Sequence, residues 1–417
     1  MACALMPLAH AQPISPRGET LTLAQALLAA RENLEVTLAR GDVAAARGDV
    51  TAADHAPLPV LSAKLSQIDL QNGIGGGNLW SRKQIDKGIG LDWTWERGGK
   101  RALRTATAQR SLDAAQADLD EVTTQQLLAT QAAFFDLLSA QDRMTQLLAL
   151  DRDAVQLAGI AARRLKAGDL SAQDAARTEI EAERAHADLL AAQLDRQRAS
   201  LALGQLIGMT AMADRLRAEA GEAVVLPASP LADVSAALEL RPDVRAARAR
   251  VESARAALKG AQALKRADIT IGASIDHYPG TSTRLVELRM QMPLQWSYDY
   301  QGEIARAQAQ LTQAEVAQEK TERAAAVEME RLALEAQTAA QRLRHFNADI
   351  LPRARKVAEA AELAYGKGGL PLTDLLDARR TLRGVLLEAM AARTDADKAA
   401  TAWQLRNRPN EAAPSLP

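Results

Sequence analysis

Apolar and polar residues alternate in one stretch of the chain that leads directly into a very long helical pattern. The apolar residues of this stretch occupy odd positions: Ile85, Ile89, Leu91, Trp93 and Trp95. A period of two predicts a strand with one apolar and one polar face, here over about residues 83–96. Gly98 and Gly99 end the alternation, and from Lys100 the pattern is helical.

The same plan recurs about 200 residues later, so the chain is predicted to be a duplication. GDVAAARGDV from Gly41 matches PDVRAARARV from Pro242, Gly168 matches Gly368, and Asp174 matches Asp374. The pattern predicts a mainly α fold built from a duplicated unit of helix, β-hairpin and long helical hairpin. The candidate strands lie at about 60–70, 83–96, 268–277 and 284–300. The predicted segments are repeats at 12–217 and 240–408, a linker at 218–239 and a tail at 409–417.

The helical stretches are longer than those of ordinary globular domains. Residues 100–158 contain no glycine or proline, which gives about 59 residues or roughly 90 Å of helix at 1.5 Å per residue. Gly168 ends this helix, with Gly159 as an earlier weak point, and a return helix from Ser171 completes an antiparallel hairpin. Before the first strand, residues 21–55 are predicted to form a single helix.

Composition narrows the class of protein. Apolar residues make up 47% of the chain and aromatic residues only 3%, which favours long, closely packed helices. The net charge of −1 gives no general attraction to nucleic acid. The only cysteine is Cys3, so neither a disulfide framework nor a thiolate metal cluster is expected.

The N-terminus favours export. Residues 2–9 are apolar, and Ala9-His10-Ala11 resembles a signal cleavage site, so residues 1–11 are interpreted as a signal peptide remnant. The alternative is a disordered apolar N-terminus. No later stretch has about eighteen consecutive apolar residues, so any membrane crossing is expected to use strands.

Four two-faced strands cannot close a barrel, and an open strand edge is not tolerated in lipid. Oligomerisation would solve this, since a dimer gives eight strands and a trimer twelve. Aromatic residues near the predicted strand ends are candidates for the membrane–water interface: Trp93, Trp95, Trp296 and Tyr298. The alternative is a soluble β-sandwich attached to a helical bundle.

These features resemble the TolC family of outer-membrane efflux proteins over about residues 21–408. GGLPLTDLLDARRTL, from Gly368 to Leu382, fits the hairpin signature of that family. WERGGKR, from Trp95 to Arg101, resembles the junction of its cobalt–zinc–cadmium, heavy-metal branch.

The resemblance implies a homotrimer in the outer membrane of a Gram-negative bacterium. A twelve-stranded barrel would continue into a periplasmic α-helical tube, which docks on a periplasmic adaptor and an inner-membrane pump of the resistance–nodulation–division type. The expected cargo is heavy-metal cations. A multidrug or type I secretion duct is the alternative within the fold, and a soluble periplasmic coiled-coil scaffold is the alternative outside it.

The resemblance also assigns roles to residues. Asp374 and Asp377, three apart on one helix face, match the carboxylates that ring the closed aperture of the family. The alternative is a solvated helix start, where the helix dipole favours Asp374. Gly168, Leu170 and Ser171, with Gly369, Leu370 and Pro371, form the two tips at which the family docks its adaptor. The alternative is ordinary turn chemistry.

Charges at the strand-to-helix junction have two interpretations. The charged residues here are Glu96, Lys100 and Arg101. They either pair across subunits or anchor the barrel at the membrane boundary. The alternative is a solvated charge cluster.

The sequence offers no enzyme or cofactor signature. No two of the five histidines stand at ligand spacing, so no metal site is predicted. Asn72–Asn78, NGIGGGN, lacks the lysine of a phosphate-binding loop and is interpreted as a hairpin turn. We therefore predict no catalytic residues and no cofactor.

Overall fold

The computed structural model describes residues 20–407, except 69–70, 72, 74–75, 77–83, 222–233 and 280. The predicted signal remnant, the C-terminal tail and most of the Asn72–Asn78 turn lie outside these residues. The strands are β1 (Thr20–Leu21), β2 (Val60–Ser66), β3 (Asp86–Trp95), β4 (Arg217–Ala218), β5 (Ile269–Tyr278) and β6 (Ser282–Gln291). The helices are α1 (Leu23–Ala30), α2 (Leu34–Ala53), α3 (Lys100–Lys166), α4 (Ala172–Leu206), α5 (Val234–Leu240), α6 (Pro242–Ala263), α7 (Gln301–His345), α8 (Leu351–Gly366) and α9 (Leu372–Asn407).

The chain divides into two compact units. One comprises residues 38–121 and 238–325, and the other comprises residues 1–37, 122–237 and 326–417. The first unit contains an antiparallel sheet with the strand order β2-β3-β5-β6. Leu91 lies opposite Leu61 on one side and Ala273 on the other, so apolar residues of neighbouring strands share one face. Each half of the sequence therefore contributes one hairpin to a shared sheet.

The strand predictions locate this sheet but extend too far at two ends. The first strand ends at Ser66, because Gln67 adopts a φ of 60° and leaves the extended conformation. The prediction of a strand over 284–300 is wrong beyond Gln291, because Pro293 has no N–H to donate to a neighbouring strand. Trp296 and Tyr298 consequently lie after β6, in the segment that leads to α7.

The core of the second unit is built around the middle of α3. Its buried cluster contains Leu21, Ala26, Phe134, Phe135, Leu137, Leu203, Ile207, Ala213, Leu216 and Ala218. The short strands β1 and β4 pair in parallel beside it. Within the predicted linker at 218–239, Ala218 belongs to β4 and residues 234–239 belong to α5.

The single helix predicted over residues 21–55 is instead two helices. Thr22 begins α1 with a capping box, in which its hydroxyl accepts a hydrogen bond from the Gln25 N–H. Asn33 separates α1 from α2, because its Oδ1 accepts from the Glu35 N–H and its Nδ2 donates to the Leu206 carbonyl at 2.6 Å.

Two local features of the long helices differ from the sequence prediction. Gly159 does not interrupt α3, which runs for 67 residues to Lys166. A glycine within a helix costs only about 1 kcal/mol relative to alanine, which a helix of this length tolerates. Between α7 and α8, residues Phe346–Ile350 form a π-helical turn. The Leu351 N–H donates to the Phe346 carbonyl, and Pro352, which follows, has no N–H.

None of the described helices has an uninterrupted apolar stretch long enough to cross a membrane.

Candidate functional site

The two helical-hairpin tips have the same backbone geometry. After α3, Gly168 adopts a φ of 81° and the Asp169 N–H donates to the Arg164 carbonyl at 2.9 Å. After α8, Gly368 adopts a φ of 74° and the Gly369 N–H donates to the Ala364 carbonyl at 2.9 Å. Both are Schellman turns, in which a left-handed glycine allows the chain to satisfy the last helical carbonyls.

The predicted tip residues differ in what they contact. Ser171 caps α4, because its hydroxyl accepts a hydrogen bond from the Asp174 N–H at 3.0 Å. Leu170 packs with the buried start of α9, formed by Leu372, Leu375 and Leu376. Gly369 and Pro371 are exposed, and Leu370 is half-buried. Leu170 therefore fixes the first tip against the second half of the chain, while Gly168 and Ser171, like Gly369 and Pro371, stay accessible.

Asp374 and Asp377 lie in the first two turns of α9, and both are exposed. The apolar residues between and beside them, Leu375, Leu376 and Ala378, point into the protein. The two carboxylates therefore share the outward side of the helix start, as their spacing predicts. At the matching positions of the first half, Arg177 lies 3.8 Å from Asp174 and offsets its charge. The two tips thus have the same backbone but different charge.

Behind the tips, ion pairs join helices from the two halves. Arg380 of α9 contacts Glu181 of α4, and Arg383 contacts Asp188. The Arg380 guanidinium, by hydrogen bonding to the Glu181 carboxylate, holds the pKa of that carboxyl below its usual range. Arg164 of α3 donates to the Tyr365 hydroxyl at 3.1 Å. Sequence analysis missed these pairs, because their members are about 200 residues apart and no local pattern connects them.

Replacing Arg380 with glutamine is expected to weaken the dependence of stability on acid pH. The lowered pKa of Glu181 means that its pairing stabilises the protein fully above the ordinary glutamate pKa of about 4.3. That contribution is lost as the pH falls through the lower folded-state pKa. The Arg380→Gln variant should therefore show a smaller drop in thermal unfolding midpoint than the wild type between about pH 6 and about pH 3.

Arg184→Gln is the matched control, because Arg184 contacts the same carboxylate from its own helix, at 3.1 Å, and is more exposed. It should retain most of the wild-type pH dependence. Equal pH dependence in all three proteins would contradict the role of Arg380.

The sheet has one apolar and one polar face. Exposed apolar side chains on one face include Ile89, Leu91, Trp93, Ile271, Ile275, Val286, Leu288 and Met290. On the polar face, Arg289 of β6 donates to Asp92 of β3 at 2.6 Å, across the strand that lies between them. Ser274 donates to Asp276 at 2.6 Å.

Two glycines make room for the aspartates of the polar face. A Cβ atom at Gly272 would overlap the Asp92 carboxylate, and one at Gly88 would overlap the Asp276 carboxylate. Gly272 lies opposite Asp92 and Gly88 opposite Asp276 in the β3–β5 register, so the two pairs are reciprocal. Each carboxylate therefore lies flat across the neighbouring strand instead of projecting from the sheet.

The predicted interfacial aromatics are all exposed, with Trp93 at 49%, Trp95 at 55%, Trp296 at 86% and Tyr298 at 51%. Trp93 and Trp95 end the apolar face of β3. The junction charges beside them pair within the chain: Lys100 with Asp268 at 2.8 Å, Arg101 with Asp54 at 3.1 Å, and Arg104 with Glu96 at 2.7 Å. Their partners are thus residues of the same subunit.

A large open cavity of about 1190 Å³ lies in the unit that contains the middle of α3. Phe134 and Leu138 line one side, and Met390, Arg393 and Asp397 of α9 line another. Burial raises the pKa of the Asp397 carboxyl. None of the predicted tip, gate or interface residues lines this cavity.

Within the part of the chain that the structure describes, no group of three or more His, Cys, Asp or Glu side chains is arranged to hold a metal ion.

Comparison with known proteins relates this arrangement to membrane channels. The profile of the family described as Outer membrane efflux protein matches residues 23–209 and 234–404. The cobalt-zinc-cadmium resistance protein CzcC of Cupriavidus metallidurans is 28% identical over 319 residues, covering 73% of this chain and 74% of that protein.

Solved structures show the same fold at low sequence identity. The CmeC outer membrane channel of Campylobacter jejuni superimposes with a TM-score of 0.77 at 14% identity, over 97% of this chain and 93% of that one. The outer membrane protein VceC of Vibrio cholerae gives a TM-score of 0.72 at 18% identity, over 92% and 95%.

Proposed function

The chain belongs to the outer membrane efflux protein family and is an outer-membrane exit duct, and we propose that three copies form one duct for heavy-metal cations. The duct would work with a periplasmic adaptor and an inner-membrane pump of the resistance–nodulation–division type. It would conduct cargo passively, with no catalytic residues, since the pump would supply the energy.

The observation that carries this proposal is the four-stranded sheet with an exposed apolar face. Among the described strands, β2 and β6 each pair on one side only, so the sheet has two open edges. Apolar surface of this extent is unfavourable in water but suits contact with lipid. Pairing β2 of one copy with β6 of the next would remove every open edge. Three copies of four strands would give a twelve-stranded barrel, with the polar face of each sheet lining its lumen.

The proposal of a metal cargo rests on the relative and on the charge of the second tip. CzcC is described as a cobalt-zinc-cadmium resistance protein, and it matches about three quarters of this chain. Three copies of Asp374 and Asp377 would place six carboxylates around one opening. Such a ring attracts cations and repels anions. A multidrug duct remains the second candidate, although its cargo would gain less from a ring of carboxylates.

The two hairpin tips are the proposed docking surface for the adaptor. The exposed residues Gly168 and Ser171 of the first tip, and Gly369 and Pro371 of the second, would be accessible to a partner. The half-buried Leu170 would mainly fix the shape of the first tip.

The test is single-channel recording in planar bilayers of the wild type and of the Asp374→Asn/Asp377→Asn variant. Asparagine keeps the size of each side chain and removes its charge. We expect the ratio of cation to anion permeability to fall at least about threefold in the variant. Asp174→Asn, at the matching position of the first half, is the control and should change selectivity little, because Arg177 already offsets that charge.

The outcomes separate the parts of the proposal. Conductance with unchanged selectivity in the double variant would keep the duct and remove the gate. Equal effects of the double variant and Asp174→Asn would mean that any charge near a tip acts in the same way. A wild-type protein that conducts nothing and stays soluble without detergent would favour the scaffold alternative.

A further inference from the structure

The apolar face of the sheet ends beside three exposed cations at the strand-to-helix junction. We call Arg97, Lys265 and Arg266 the junction cluster. Arg97 follows Trp95 by two residues, and its guanidinium Nη1 lies 3.9 Å from the Met292 sulfur. The stem of Arg266 packs on Gly98, where a Cβ atom would approach the Arg266 Cδ to 3.1 Å. Arg266 therefore lies against the turn at Gly98, the residue that directly follows Arg97 in the chain.

The cluster differs from its neighbours in having no carboxylate partner. Lys100, Arg101 and Arg104 each pair with an acidic side chain, at 2.7–3.1 Å. Among the described residues, no such pair involves Arg97, Lys265 or Arg266, and all three are exposed. The Asp268 carboxylate accepts hydrogen bonds from the Arg97 backbone N–H at 2.9 Å and from Lys100 Nζ at 2.8 Å. The Arg97 guanidinium is directed instead to the thioether of Met292.

The surroundings of the cluster match the boundary of a lipid layer. Trp93 and Trp95 are the last apolar residues of β3, and indole rings favour the depth at which acyl chains meet headgroups. A cation directly beyond them lies at the level of lipid phosphates. The cluster also follows β3 and precedes β5, which are the two inner strands of the sheet. Strand pairing with another subunit at β2 and β6 would leave it uncovered.

We propose that the junction cluster binds the phosphate group of an anionic phospholipid in the leaflet adjoining the helices. This inference rests on the proposed function, because it requires the apolar sheet face to lie in a bilayer. The planar arginine side chains donate several N–H groups to phosphate oxygens, and the exposed tryptophans cover the upper acyl chain. A free phosphate would gain nothing from the apolar face, so a lipid is the expected source.

The experiment measures lipid preference by quenching of tryptophan fluorescence. The full-length protein is reconstituted in phosphatidylcholine vesicles that contain brominated phosphatidylglycerol or brominated phosphatidylcholine. Brominated chains next to Trp93, Trp95 or Trp296 quench their emission. We expect the wild type to favour phosphatidylglycerol at least about fivefold. The variant Arg97→Gln/Lys265→Gln/Arg266→Gln should lose this preference.

The control removes the same charge elsewhere on the surface. Arg152→Gln/Arg163→Gln/Lys166→Gln changes three exposed cations of α3 and should keep the wild-type preference. Should the junction triple variant fail to insert, the single variants Arg97→Gln and Lys265→Gln are each expected to reduce the preference about twofold. The variant Arg97→Lys, which keeps the charge, should retain most of it.

Two results would overturn the inference. One is an equal preference in the wild type, the junction variants and the control. The other is loss of the wild-type preference on adding inorganic phosphate at constant ionic strength, which would mean that the cluster binds any phosphate. Conductance recorded from the same vesicles separates this failure from failure of the duct, because the duct does not require the junction cluster.

Discussion

The Phe134→Ala variant is expected to have a free energy of unfolding about 3–5 kcal/mol below that of the wild type. Phe134 is 1% exposed and belongs to the cluster in which α3 meets α1 and α4. Its ring packs edge-on against Phe135, with centroids 5.6 Å apart. Removing the ring takes away its apolar contacts within this cluster and leaves a space that long, stiff helices cannot close.

The loss can be measured by guanidinium unfolding of the detergent-solubilised protein, followed by circular dichroism. Phe134→Leu is the matched control, because leucine keeps an apolar side chain of intermediate volume at the site. It should lose less than half as much stability. Equal losses in both variants would show that a specific aromatic contact, rather than filled volume, matters at this position.

The Gly272→Val variant should yield about tenfold less assembled protein in the outer membrane than the wild type. Overpacking a tight site costs about 1–3 kcal/mol, and tenfold corresponds to about 1.4 kcal/mol. The new side chain would collide with the Asp92 carboxylate and displace it from Arg289. Ala273→Val is the control, since the neighbouring residue of the same strand is exposed and faces away from Asp92. It should assemble normally.

A second substitution tests the cause of this defect. If the Asp92 carboxylate is the obstacle, Asp92→Ala should restore much of the assembly of Gly272→Val. The reciprocal pair should behave alike, with Asp276→Ala rescuing Gly88→Val. Assembly can be read from the amount of heat-modifiable folded protein in outer-membrane fractions. A defect that neither aspartate substitution relieves would locate the problem in the backbone of β5.

Sequence periodicity predicted the elements of this fold where one hydrophobic period continued unbroken over a long segment. The alternation around Trp93 and the uninterrupted run from Lys100 gave β3 and α3 in nearly their observed positions. The prediction was wrong where one residue overrides a continuing pattern. Apolar and polar residues still alternate at Leu294 and Trp296, yet β6 ends at Gln291, before Pro293. The π-helical turn before Pro352 also lies within an unbroken helical pattern.

In the candidate sites, relations along a single helix could be predicted from the sequence, whereas contacts between distant elements could not. Asp374 and Asp377 could be placed on one side of a helix start, because the spacing along a single helix fixes that relation. Their role as a gate remains a prediction. The pairing of Glu181 with Arg380 could not be foreseen, since it depends on how α4 packs against α9. The glycines opposite Asp92 and Asp276 could not be interpreted until the register of β3 and β5 was known.

That register has a consequence for biogenesis. β3 pairs with β5, so Trp95 meets Ile269 and the sheet spans two distant parts of the chain. The first hairpin is synthesised and exported well before its partner strand exists, so the backbone groups of β3 that bond to β5 are then without a strand partner. Such long-range pairing is slow and favours aggregation while it is incomplete. We therefore expect the exported chain to need protection from aggregation until its second half has crossed the inner membrane.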